Sequence, residues 1–159
     1  AYRAGIFVVV AAGNHGKTAD GTKVYGMIDS PGTSPYAFTV GALNTRGTVV
    51  RSDDTVTTYS SRGPTRIDHI LKPDVLAPGN RVRSLLAVNS AIAAQHPELV
   101  VLSNPNTLEM SGTSVSAAIF SGAAALVLQL KGATTPFGMR VVLRAAEGER
   151  SDDQSQRAS

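Results

Sequence analysis

The chain alternates between short apolar runs and polar segments rich in glycine and proline. Residues 6–12 form a continuous run with many β-branched side chains, which is typical of a strand buried on both faces of a parallel sheet. Shorter apolar runs predict further strands at 37–43, 75–77 and 82–86. Residues 47–59 are polar and predict a hairpin or an irregular loop.

Residues 114–130 mix small and large apolar side chains with several alanines, a composition that favours helix. Because this helix is apolar on nearly all sides, we expect it to be buried. The apolar stretch 115–130 is interrupted by Ser116, Ser121 and Gln129. It is also shorter than the roughly 20 residues that a spanning helix needs, so a core helix is favoured over a membrane segment.

Two shorter helices are predicted as well. Residues 90–101 are ambiguous, with helix favoured before Pro97. Thr135 followed by Pro136 is typical of an N-cap with proline at the first helical position, and predicts a helix over 137–147. The polar residues 148–159 are predicted to be a disordered tail. Mixed strands and helices with buried strands predict an α/β fold over 1–147, a three-layer sandwich around a mostly parallel sheet.

The amino-acid composition excludes several classes of partner and site. The 159 residues are 42% hydrophobic and 17% charged, as in a globular domain. The formal charge of +3 includes no long run of Lys or Arg, so we expect no nucleic-acid partner, and we expect no membrane partner. Cysteine is absent, which excludes disulfides and cysteine-based metal sites. Residues 13–16 (GNHG) follow a strand but lack the glycine pattern of a nucleotide-binding loop.

Ser114 and Asn14 are the candidate chemical groups. Ser114 begins the predicted helix, where free N–H groups and the helix dipole favour developing negative charge. Asn14 follows a buried strand, and its amide could donate to an oxyanion. Each residue also has a plain structural interpretation. A serine at this place is a common helix cap, and an asparagine after glycine is a common turn residue.

Five short sequence blocks, in a fixed order, favour the chemical interpretation of Ser114 and Asn14 over the structural one. The chain resembles the subtilisin-like serine proteases (subtilases) in AAGN at 11–14, SPGTSPYAFTVGA at 30–42, YSSRGP at 59–64, KPDVLAPG at 72–79 and SGTS at 111–114. The resemblance extends over about residues 5 to 147 and corresponds to the second half of the family's catalytic domain. It implies that Ser114 is the acylating nucleophile. It also implies that Asn14 and the Ser114 N–H form the oxyanion hole.

The resemblance assigns further positions. Ala12 and Gly13 match a wall of the substrate pocket, and Thr113 lies beside the oxyanion hole. Ser30–Pro31 matches a place where the family often has a cis peptide. Gly32 and Ala37 match a loop that binds a weakly held cation in some members. The carboxylate partners of that cation are not clearly matched here, and Asp53 and Asp54 are the candidates. A structural calcium ion is therefore compatible with the resemblance, but we assign no metal site, and the chemistry requires no cofactor.

The chain departs from the family pattern in two ways. Ala118 and Ile119 replace the proline and histidine that often follow the nucleophile, which affects local geometry only. The second departure is larger, because the Asp-Thr/Ser-Gly and His-Gly-Thr motifs that supply the acid and the base are absent. We expect His15, His69 and His96 not to replace the base. We expect the missing motifs to precede residue 1.

Two functions from different classes follow. The first is a serine endopeptidase acting on a peptide or protein substrate, of which this chain would be an incomplete and by itself inactive part. The second is a stand-alone, non-catalytic module that binds peptides or a protein partner. The resemblance implies an extracellular, secreted protein.

Overall fold

The computed structural model describes residues 1–131 and 135–143. The strands are Val9–Ala11 (β1), Phe38–Asn44 (β2), Thr55–Val56 (β3), Val75–Pro78 (β4), Val82–Leu85 (β5) and Thr107–Met110 (β6). The described α-helices include Ala91–Gln95 (α1) and Thr113–Lys131 (α2), and residues 136–143 are helical too. The predicted helix end at 147 and the predicted tail at 148–159 lie outside the described residues.

The main sheet is mostly parallel. Strand β2 lies between β1 and β4 and is parallel to both, while β3 pairs antiparallel with the last two residues of β2. The α/β fold with a mostly parallel sheet is therefore confirmed. The first strand is shorter than its apolar run, because only Val9 to Ala11 pair with β2.

A second, two-stranded sheet joins β5 to β6 in antiparallel register. Strand β6 was not predicted, because its four residues Thr107–Met110 alternate weakly and follow a turn. The helix favoured before Pro97 is present as α1, and Ser90 caps it by accepting the N–H of Ala93. Thr135 likewise caps residues 136–143, since its hydroxyl accepts the N–H of Gly138 at 3.1 Å.

The hydrophobic core lies between the sheet and α2. Phe120 of α2 stacks on Phe38 of β2 with ring centroids 5.0 Å apart and planes 7° from parallel. The other members of the buried cluster are Val40, Val75, Ala77, Ala124 and Met139. The packing of α2 on β1, β2 and β4 places its first turn close to the end of β1.

The prediction that α2 is buried all round is wrong for the described residues. One face packs on the sheet, but Leu126 and Leu130 are 62% and 83% exposed. Residues 113–130 are long and apolar enough to cross a membrane by length and composition alone, with 22% of them buried. Their packing against β1, β2 and β4 is that of a core helix with one face still uncovered by the described residues.

Candidate active site

The candidate site lies where α2 begins. The Gly112 carbonyl accepts the N–H groups of Val115 and Ser116 at 3.1 and 3.3 Å, so Gly112 occupies the N-cap position. Ser114 is therefore in the first turn, and the interpretation of this serine as the helix cap is wrong. Its side chain is exposed, between the buried residues Thr113 and Ser116.

Asn14 holds the start of this helix from the other side. Its Oδ1 accepts the Thr113 N–H at 3.0 Å and the Thr113 hydroxyl at 3.1 Å. A backbone N–H can only donate, so this contact must be made by the oxygen of the amide. The orientation of the amide is thereby determined, and the Nδ2 group is left to donate in another direction.

Polar groups of Ser114 and Asn14 lie on either side of a small space beside Gly112. A methyl group placed on the Gly112 Cα would lie 3.5 Å from Ser114 Oγ and 3.7 Å from Asn14 Nδ2. The same point is 3.9 Å from the Ser114 backbone nitrogen. Within residues 1–131 and 135–143 that N–H has no hydrogen-bond partner. A hydroxyl and two N–H donors thus border one small open space, which glycine leaves free for a substrate backbone.

Thr113 connects this site to the loop after β1. Its hydroxyl accepts the Gly13 N–H at 3.1 Å while donating to Asn14. Gly13 has a φ of +103°, a backbone conformation that favours glycine. The Ala12 N–H donates to Val40 of the sheet at 2.9 Å, so Ala12, Gly13 and Asn14 are held by the sheet on one side and by α2 on the other.

None of the three histidines is hydrogen-bonded to Ser114 in the described residues. His15 Nε2 is 3.3 Å from Asp29 Oδ2, and His96 Nδ1 is 3.1 Å from Glu98. His69 is exposed in a loop, with a φ of +52°. In the described parts of the chain, no hydrogen bond joins any of them to Ser114 Oγ. The described residues therefore provide a hydroxyl and two N–H donors, with no histidine hydrogen-bonded to that hydroxyl.

The loop at Gly32 and Ala37 is already filled by donors of the protein. The Ser30–Pro31 peptide bond is cis, which confirms that prediction. The Ala37 carbonyl accepts Lys72 Nζ at 2.8 Å and Arg140 at 2.7 Å, and the Gly32 carbonyl accepts the Thr39 hydroxyl at 2.7 Å. The Ala37 carbonyl is thus bonded to two protein cations, whereas the Gly32 carbonyl is bonded to a neutral hydroxyl.

Asp74 completes this ionic group. Its side chain and that of Lys72 are fully buried and 2.5 Å apart. Burial by itself would raise the pKa of Asp74, but the Lys72 hydrogen bond, the Thr39 N–H and the Lys72 and Arg140 charges outweigh it and lower the pKa below the ordinary 3.8. Asp53 instead accepts the Thr48 hydroxyl, and among the described residues no three His, Asp or Glu side chains are grouped to hold a metal.

The larger cavities lie elsewhere. One of about 700 Å³ is bordered by Tyr25, Arg62 and the segment 72–76 among others, and neither Asn14 nor Ser114 lines it. Ser114 Oγ, Asn14 Nδ2 and the Ser114 N–H instead border an open surface beside Gly112.

Comparison with known proteins agrees with this geometry. The sequence model of the Subtilase family, Peptidase_S8, matches residues 1–158. The chain belongs to the subtilase family. It is 41% identical over 153 residues to the serine protease AprX of Bacillus subtilis, covering 96% of this chain and 33% of AprX. The subtilisin-like protease SBT1.9 of Arabidopsis thaliana is 37% identical over 113 residues, covering 69% of this chain and 15% of that protein.

Solved subtilases share the fold. The S41 psychrophilic protease superposes with a TM-score of 0.65 at 27% identity, over 91% of this chain and 40% of that one. Sphericase gives a TM-score of 0.64 at 26% identity, again over 91% of this chain and 40% of the other. The chain thus spans about a third of the length of AprX and 40% of these solved proteases.

Two features of the site were not predicted from the sequence. One is the Gly112 N-cap, which the glycine before Thr113-Ser114 could have indicated. The other is Asp29, whose carboxylate contacts Gly13. The only signal for Asp29 was a lone carboxylate directly before the Ser30–Pro31 block, and nothing local relates it to Asn14.

Proposed function

We propose that this chain contributes the nucleophile and the oxyanion hole of a serine endopeptidase. The observation that carries the proposal is the orientation of the Asn14 amide, whose Oδ1 is held by Thr113. That orientation leaves Nδ2 beside Ser114 Oγ across the open space at Gly112. Subtilase family membership supports the same assignment.

In the proposed reaction, Ser114 Oγ attacks the carbonyl carbon of a peptide bond and its proton passes to a histidine base. The C–O bond forms, and the carbonyl oxygen becomes an oxyanion that accepts hydrogen bonds from Asn14 Nδ2 and the Ser114 N–H. Collapse breaks the C–N bond, and the histidine returns the proton to the leaving amine. Water then hydrolyses the acyl-enzyme by the same steps. Neither a metal nor an organic cofactor takes part.

The base and its orienting aspartate are proposed to come from outside this chain, so that residues 1–159 alone are inactive. This follows from the positions of His15, His69 and His96, none of which is hydrogen-bonded to Ser114 in the described part of the chain. The same observation favours the second candidate, a non-catalytic subtilase-like module that binds peptides. We further propose an extracellular location, a peptide or protein partner, and no nucleic-acid or membrane partner.

The first experiment is to read the coding sequence upstream of the Ala1 codon and to express the polypeptide that it encodes. We expect Asp-Thr/Ser-Gly and His-Gly-Thr motifs there, and hydrolysis of a fluorogenic peptide by the expressed protein. Ser114→Ala should abolish this hydrolysis, and Asn14→Ala should lower kcat by about 10²–10³-fold, the loss known for one oxyanion-hole donor in a subtilisin.

Ser121→Ala is the matched control, because Ser121 is an exposed serine of the same helix that bonds only the Ala117 carbonyl. Hydrolysis that persists in Ser114→Ala would overturn the proposal. An upstream sequence without the two motifs, together with peptide binding but no cleavage, would establish the non-catalytic module instead.

A further inference from the structure

Three arginine side chains line one cavity beside the two-stranded sheet. Arg83 lies in β5, Arg81 directly precedes this strand, and Arg46 follows β2. Together with Glu109 of β6, they line a cavity of about 490 Å³. The lining of this cavity carries three positive charges against one negative charge, so it attracts an acidic ligand.

Glu109 holds two of these arginines by one nitrogen each. Arg81 Nε donates to Glu109 Oε1 at 2.7 Å, and Arg83 Nε donates to Glu109 Oε2 at 3.1 Å. The two arginine side chains are 75% and 62% exposed. Within residues 1–131 and 135–143, the Arg46 guanidinium and the Nη groups of the other two arginines have no hydrogen-bond partner. These groups are therefore available to bind carboxylates in bidentate geometry.

The cavity continues into a second space with a more apolar lining. Arg83 and Glu109 also border a cavity of about 380 Å³, together with residues 98–103. Residues 99–102 of that segment are apolar, and Leu102 is 98% exposed. Glu98 at this end is a carboxylate, which disfavours an acidic group there. We call the two cavities together the arginine groove, which has a basic end and an apolar end.

The arginine groove lies next to the candidate active site and does not include it. The Arg81 N–H donates to Ser111 Oγ at 2.8 Å, and Ser111 is three residues before Ser114. Neither cavity of the groove is lined by Asn14, Gly112 or Ser114. A polypeptide segment bound in the groove therefore leaves the space at Gly112 free for the peptide bond that is cleaved.

We propose that the arginine groove binds an extended segment of the protein substrate at a distance from the cleaved bond. Acidic side chains of this segment pair with the three arginines, and its apolar side chains cover Leu102. The identification of the partner as the substrate rests on the proposed function, because it depends on cleavage of a peptide bond by Ser114. An extended polypeptide fits better than a small oxyanion, since an inorganic anion would not contact the apolar end of the groove.

The test uses the upstream-extended protein and a fluorogenic peptide joined by a Gly-Ser linker to a segment of aspartates followed by leucines. Separate substrates carry the linker before or after the scissile bond, because a flexible linker lets the segment search for the groove. In the comparison substrates, asparagines replace the aspartates. At low salt and at one of the two linker positions, we expect the aspartate substrate to have a KM about fivefold lower than the asparagine substrate. We expect kcat to be unchanged.

Variants of the groove locate this effect. Arg83→Gln should remove most of the KM difference between the aspartate and asparagine substrates. Leu102→Asn should raise the KM of both substrates about twofold, because it removes an apolar contact. Arg3→Gln is the matched control, since Arg3 is an exposed arginine that lines neither cavity. A merely structural role of Arg83 would change stability or kcat and would not change the KM ratio of the two substrates.

The possible results separate this inference from the proposed function. Hydrolysis of both substrates with equal KM at both linker positions would overturn the inference and leave the proposed function standing. If neither substrate is cleaved, the proposed function fails, and fluorescence anisotropy of the labelled segment with the Ser114→Ala protein decides whether the groove binds it. Weaker binding after adding Arg83→Gln would support such binding, and equal binding after adding Arg83→Gln or Arg3→Gln would overturn it.

A site for small oxyanions would give a different result. Inorganic phosphate would then displace the labelled segment, and Leu102→Asn would leave the affinity for the segment unchanged. Both observations together would overturn the proposal of a polypeptide ligand.

Discussion

At the scale of single residues, the site depends on two backbone positions that only glycine fills well. Gly112 leaves open the space between Ser114 Oγ and Asn14 Nδ2. Gly13 takes a φ of +103° and lets Asp29 approach. Neither glycine carries chemistry, yet a side chain on either one would occupy the place of a substrate or of a neighbouring group.

Gly13→Ala tests this requirement. The substitution adds both backbone strain and a collision with Asp29, so we expect the free energy of unfolding to fall by about 2–3 kcal/mol, together with a loss of kcat as Asn14 is displaced. Urea unfolding and peptide hydrolysis measure the two effects. Gly21→Ala is the control, because Gly21 has a similar φ of +88° with open space around it. Equal destabilisation by both substitutions would show that the Asp29 contact contributes nothing.

At the scale of elements, α2 has two roles. Its first turn presents Ser114, while its middle packs on the sheet through Phe120 and Ala124. The same helix thus carries Ser114 at its start and Phe120 in its middle. Because Asn14 follows β1 and Phe38 lies in the neighbouring strand β2, the packing of Phe120 on Phe38 helps to position Ser114 relative to Asn14.

Phe120→Ala is expected to destabilise the protein by about 3–5 kcal/mol, because it leaves a cavity beside Phe38 and removes a stacked ring pair. Chemical denaturation measures the loss. Phe137→Ala is the matched control, since Phe137 is 65% exposed and its removal should change stability by less than about 1 kcal/mol. A loss at Phe137 as large as that at Phe120 would contradict this account of the core.

The element predictions succeeded where the pattern is local. The strand at 37–43, the strand at 75–77 and the helix at 114–130 each lie within one residue of the observed bounds. Strand β6 was missed, because its pairing with β5 depends on a segment distant in sequence. The burial of α2 was overestimated, because an apolar composition does not determine which faces of the helix are covered by other elements.

At the scale of the whole molecule, a buried ionic group joins three distant segments. Lys72 and Asp74 directly precede β4, and Ala37 precedes β2. Arg140 lies in the helical residues 136–143. Arg140 reaches Asp74 at 3.5 Å and also lies 5.6 Å from the Phe38 ring centroid. The group therefore joins the last described helix to the sheet.

Asp74→Asn is expected to lower the free energy of unfolding by about 3–5 kcal/mol at neutral pH, because it leaves the buried Lys72 charge without its carboxylate. The folded-state pKa of Asp74 is lowered from 3.8, so the ionised carboxylate stabilises the fold above that pH. This stabilisation is lost as the pH falls through the lowered value.

The difference between wild type and Asp74→Asn should therefore be largest near pH 7 and should shrink below about pH 4. Thermal unfolding across this range measures it, with Asp20→Asn as the control for an exposed carboxylate whose pKa is also lowered, chiefly by its Thr18 hydrogen bond. A difference that stays constant from pH 7 to pH 3 would show that Asp74 acts through packing rather than charge.

The sequence by itself determined the α/β class, the main strands and helices, and the family whose motif blocks contain Ser114 and Asn14. These depend on periodicity and on short ordered motifs, which are local properties of the chain. Only the tertiary structure decided that Gly112 rather than Ser114 caps α2, that Thr113 orients the Asn14 amide, and that Asp29 lies behind Gly13. Each of these contacts joins residues that are distant in sequence or depends on a φ value, and the packing of α2 on the sheet and the course of the loop after β1 bring them together.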